Sequence, residues 1–142
     1  MTMSTTRSPA PADYGHFTTM RVEHGRVRGL GLHLDRLVGD CAAVFAAELS
    51  RTEVRERVRA AVAGAGGPLV VRVTVTDPDL PLARPSAPAR PRVLVTTRPV
   101  PPAAPPMRVR TARWGRDLPA VKHTGLFGAL HQRYADVVPE TI

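Results

Sequence analysis

The chain has 142 residues, 43% of them apolar and 4% aromatic, and a formal net charge of +8. That is the size of one ordinary domain, apolar enough to bury a core of Val, Leu and Ala and too apolar for a disordered polyelectrolyte. A single cysteine, Cys41, excludes an intrachain disulfide and a cysteine-rich zinc site, and no apolar run is long enough to span a bilayer.

The positive charge is carried by nineteen arginines and one lysine, Lys122. The arginines are spread along the chain with acids interleaved. That pattern fits a solvated surface better than a nucleic-acid footprint. The opening "MTMSTTRSPAPADYG" lacks the apolar core of a signal peptide. Residues 1–13 are expected to be a flexible tail, and the cytoplasm is the default location.

In chain order, "HFTTMRVEHGRVRGL" (16–30) reads as a β-hairpin turning at His24-Gly25. "LHLDRLVGDCAAVFAAEL" (32–49) repeats apolar residues at intervals of three and four, which predicts an amphipathic helix. Ser50 and Glu53 have capping-box spacing and open a second helix with Val54, Val58 and Val62 on its buried stripe. "PLVVRVTVT" (68–76) alternates as a strand, with Val71, Val73 and Val75 on one face and Arg72 and Thr74 on the other. A Pro-rich connection, a strand at 92–98 and a polyproline-like spacer at 99–106 follow. "MRVRTARW" (107–114) alternates again, and "GLFGALHQRYA" (125–135) reads as a helix. The predicted fold class is α+β: a mostly antiparallel sheet with flanking helices.

Lys122 ends a short apolar lead-in, Ala120-Val121. Partial desolvation there lowers an amine's pKa, and a neutral amine can condense with a carbonyl, which arginine cannot do. The bland alternative is a surface lysine left by chance. Arg36, one turn into the first predicted helix, can grip a phosphate with two parallel hydrogen bonds, or simply pair with Asp40 at i+4. His16, His24, His33, His123 and His131 show no metal-ligand spacing.

"GHFTTMRVEHGRVRGLGLHLDRL" (15–37), followed far downstream by "LPAVKHTGLFGALHQRYA" (118–135), resembles the class IV aminotransferases. These are pyridoxal-phosphate enzymes of fold type IV, among them branched-chain and D-amino-acid aminotransferases and aminodeoxychorismate lyases. The resemblance implies that Lys122 is the Schiff-base lysine and catalytic residue, that Arg36 binds the phosphate of pyridoxal 5′-phosphate, and that Phe127 stands where several members carry a tyrosine. It implies an α+β N-terminal domain over residues 14–121 and the start of a second, cofactor-binding domain at 122–142. The family continues for about as long again, so that second domain, with its glutamate for the pyridine nitrogen, is expected to be largely missing. "PETI" (139–142) arrives too soon after the lysine to replace it.

The implied reaction is amino-group transfer between an amino acid and a 2-oxo acid, incomplete unless a homodimeric partner or a companion chain completes the cleft. The alternatives are an aminodeoxychorismate lyase-like enzyme, a basic binding module and an inactive fragment.

Overall fold

The structure, a computed structural model, describes residues 14–81, 87–106, 108, 111 and 113–135. The chain runs β1 (Gly15–Glu23), β2 (Arg26–Val27), α1 (Leu30–Phe45), α2 (Arg51–Val62), β3 (Leu69–Thr76), β4 (Arg92–Pro99) and α3 (Phe127–Ala135). The strands form one antiparallel sheet in the order β2-β1-β3-β4. The expected hairpin is present. His24 and Gly25 both take positive φ, 50° and 69°, the two-residue turn whose twist matches the strands it joins.

Ser50 caps α2 as its spacing predicts, its hydroxyl accepting the Glu53 N–H at 3.2 Å. The first helix ends earlier than its apolar pattern suggests. Ala46 turns left-handed at φ 50°, and its N–H closes the last turn on the Ala42 carbonyl at 3.0 Å. The last helix starts at Phe127, two residues later than expected. Of the strand expected at 107–114, residues 107, 109, 110 and 112 lie outside the described residues, and the described 108, 111, 113 and 114 are not in a strand.

Both α1 and α2 pack on one face of the sheet. Leu34, Leu37, Cys41, Val54 and Val58 meet Met20, Val22, Val71, Val73, Val75 and Val93 in a single core. This is the period-two alternation of β3 made physical: its valines are buried, while Arg72 and Thr74 point to the opposite face. No described helix covers that second face, which carries Thr19, Arg72, Leu94 and Thr96.

The sheet's own geometry creates the place for the downstream segment. β2 is only two residues long and pairs with β1 at Val22 and Glu23 alone. The N-terminal half of that edge of β1 is therefore left free, and residues 122–124 take it. Phe17 N–H donates to the Lys122 carbonyl and Thr124 N–H to the Gly15 carbonyl, each at 2.9 Å, with His16 opposite His123. Gly15 is needed here. A Cβ on it would meet the Val75 carbonyl oxygen at 2.5 Å and the Thr76 side chain at 2.7 Å.

His16, on the helix side of β1, is fully buried beside Phe45, and neither ring nitrogen has a hydrogen-bond partner among the described residues. Burial holds its imidazole below the ordinary 6.5, against an opposing pull from Asp40.

Two predictions follow from the packing. Gly15→Ala should cost about 2 kcal/mol by forcing β1 and β3 apart, and Leu37→Ala about 2–5 kcal/mol by leaving a cavity, both read from urea unfolding. A Gly15→Ala protein as stable as wild type would contradict the close approach. A third prediction concerns pH. The unfolded chain protonates His16 near 6.5 while the native state resists, so stability is intact above that value and falls as pH drops below it. His16→Phe should flatten the decline measured between about pH 7.5 and 5; an unchanged slope would place its origin elsewhere.

Candidate active site

Lys122 lies directly opposite Phe17 across the short ladder, so the two side chains share the face that the helices leave open. Its Nζ stands 4.9 Å from the centroid of the Phe17 ring. Arg72 reaches the same ring from β3, with its guanidinium carbon 3.7 Å from the centroid and its Nε–H donating to Thr74 Oγ1 at 3.3 Å. Phe17 is only 7% exposed beneath these two cations. Beside Arg72 the open face dips into a shallow depression of about 350 Å³ lined by Thr19, Thr96 and Arg98 among others.

The backbone around Lys122 is fixed from three sides. β1 holds its carbonyl. Asp40, on α1 and itself 6% exposed, accepts the Lys122 N–H on Oδ2 at 3.0 Å. Val121 is buried, and its N–H closes a turn on the Leu118 carbonyl at 2.9 Å. His123 lies next along, with Nε2 2.6 Å from the Asp117 carbonyl; a carbonyl only accepts, so this nitrogen carries the proton. Lys122 as a whole residue is partly buried.

Electrostatics then act on the ammonium. Burial is the largest influence depressing the Lys122 pKa below 10.5, followed by the positive charges of Arg36, Arg116 and Arg72, while Asp40 pulls it back up. Arg36 and Lys122, the two sequence-predicted site residues, are thus near enough for one charge to act on the other. Arg36 is exposed on α1 and its guanidinium is open to an incoming anion. The local alternative, in which Asp40 is taken up by Arg36, is not what the fold uses: the Asp40 carboxylate is on the Lys122 amide. Phe127 is 83% exposed and stacks on His131 at 6.2 Å.

His33 has no metal-ligand spacing in the sequence, yet it belongs to this region. Its Nδ1 lies 2.7 Å from Thr18 Oγ1, and burial together with the charges of Arg36 and Lys122 lowers its pKa. Asp40, Phe17 and Arg72 were missed as well. Period-two alternation does place Arg72 opposite the valines of β3, but nothing local says which residue of β1 it will meet.

These side chains make a half-dry amine amid guanidinium groups, on a sheet face with no described cover. Such a site can attract an anion and present a neutral amine to an electrophile. Among the described residues no group of His, Cys, Asp and Glu could hold a metal ion, and no helix is long and apolar enough to cross a membrane.

Comparison with known proteins agrees with the architecture. Residues 15–135 match the family model for amino-transferase class IV. No curated protein matches the chain. Among solved structures, a hypothetical aminotransferase from Mycobacterium tuberculosis, in an alpha-ketoglutarate and PMP bound form, is similar at 26% identity and a TM-score of 0.50, over 65% of this chain and 31% of its own. A fold IV transaminase from Curtobacterium pusillum is similar at 30% identity and a TM-score of 0.48, over 62% of this chain and 29% of its own. The chain therefore spans about a third of the length of these solved relatives. Its four-stranded antiparallel sheet and helices are similar to part of the Mycobacterium tuberculosis aminotransferase structure, and with its family match running from β1 to the end of α3 the chain belongs to the class IV aminotransferases.

Proposed function

We propose that this chain carries the lysine-bearing part of a pyridoxal-phosphate-dependent aminotransferase, which moves an amino group between an amino acid and a 2-oxo acid. The observation that carries this reading is the placement of the sole lysine: a partly buried residue with a depressed pKa, beside the Phe17 ring and within the field of Arg36, Arg72 and Arg116. In this reading Lys122 holds the cofactor covalently and moves the proton at the substrate α-carbon, while Arg36 takes the phosphate.

The residues present fit two ends of that cofactor. A depressed pKa keeps more of the amine neutral, the form that attacks an aldehyde. A guanidinium suits a phosphate because its planar fork donates two parallel hydrogen bonds. When bound, the cofactor supplies an electron sink for the carbon being deprotonated. The third end, the ring nitrogen, has no partner assigned among the described residues, since the Asp40 carboxylate is committed to the Lys122 amide. We assign that contact, and the second wall of the cleft, to a cofactor-binding domain beginning at Lys122 and lying mostly outside the part described, on this polypeptide or on a companion.

Mixing the protein with pyridoxal phosphate should produce a visible absorbance band, and borohydride should fix the added mass on Lys122. Lys122→Arg should abolish both; a Lys122→Arg protein that keeps the band would remove the assignment. Arg36→Ala should weaken cofactor retention about tenfold, the worth of one charge-assisted contact of roughly 1.4 kcal/mol. Unchanged affinity in a folded Arg36→Ala protein would return Arg36 to the solvated surface.

A further inference from the structure

The bond between Asp40 and Lys122 joins residues 82 positions apart and is made by a buried carboxylate to a backbone N–H. No cation forms an ion pair with Asp40 among the described residues. A serine or asparagine could accept the same N–H without the cost of burying a charge. The carboxylate must therefore offer something that a neutral acceptor would not.

The charges facing the Lys122 amine suggest what that is. Arg36 on α1, Arg72 on β3 and Arg116 on the approaching loop all disfavour the ammonium. His33 on α1 also feels the amine's charge, which adds to burial and Arg36 in lowering its pKa. Asp40 is the anion that acts in the other direction.

We propose that Asp40 is a positioning residue for Lys122, anchoring its backbone against β1 and setting a fixed negative charge against three guanidinium groups. A group that must take and return a proton has to populate both its forms near the working pH. Burial and the guanidinium groups supply the neutral form, and Asp40 keeps the charged form accessible. This inference rests on the reading of Lys122 as the reacting amine, but its test does not need the cofactor.

The test uses the single lysine. Labelling by acetic anhydride across a range of pH, read by mass spectrometry with the N-terminal amine as internal reference, reports the Lys122 titration alone. Asp40→Asn retains an acceptor for the Lys122 N–H and removes the charge. Losing an anion disfavours the ammonium, so the midpoint should move down by about one pH unit, while hydrogen exchange at the Lys122 amide stays slow. Asp40→Ala should move the midpoint likewise and speed that exchange by about tenfold or more, the loss of one hydrogen bond to a charged group. A merely structural role for Asp40 would not separate the two variants in this way.

An unchanged midpoint in a folded Asp40→Asn protein overturns the proposal. So does unchanged amide exchange in Asp40→Ala. If neither variant folds, the wild-type amide decides: slow exchange supports the anchor, and exchange as fast as in an exposed loop overturns it. Failure of the wild-type protein to react with pyridoxal phosphate, with these results as predicted, would remove the cofactor reading and leave the positioning role standing.

Discussion

The short ladder between Gly15–Phe17 and residues 122–124 decides where the only lysine stands. It exists because β2 is too short to pair with the whole edge of β1. Once the segment is seated, alternation dictates the rest: Lys122 falls opposite Phe17 on the open face, and His123 falls opposite His16. On the other edge of β1, Gly15 lets the strand approach β3 without a side chain between them. Asp40 reaches the same segment from α1, so the helix layer and the sheet edge hold one residue between them.

The charge composition acquires a meaning from this placement. In a chain with nineteen arginines, positive charge is available everywhere. An arginine, however, never gives up its proton under working conditions. The one basic residue that can do so is the one sewn to β1, half-buried and flanked by guanidinium groups. The positive charge of those neighbours pushes the amine toward its neutral form. Phe17 moderates this from below, since a ring face favours a nearby cation and shields one side of the amine from water.

Local features of the fold were legible in the sequence and long-range ones were not. The His24-Gly25 turn, the Ser50 cap and the alternation of β3 depend on neighbours a few residues away, and each was readable. The end of α1 was not, because Ala46 takes a left-handed conformation that alanine does not advertise. Asp40 shows the limit most clearly. Its i+4 spacing from Arg36 suggested a surface pair, and a bond to a residue in another part of the chain prevailed. His33 likewise shows no role by spacing, and only the packing of α1 against β1 brings Thr18 to it. Lys122 and Arg36 stand out in the sequence by their own chemistry, and the family resemblance, which spans both segments at once, is what implies a role for each.

The account stands on the state of one amine, and a single-lysine chain permits that state to be read directly. A ¹³C NMR titration of the Lys122 ε-carbon in the wild-type protein should show one lysine resonance with a midpoint below 10.5, returning to the ordinary value when the protein is unfolded in urea. A midpoint at or above 10.5 in the folded protein would mean a freely solvated ammonium, and would contradict the site built here.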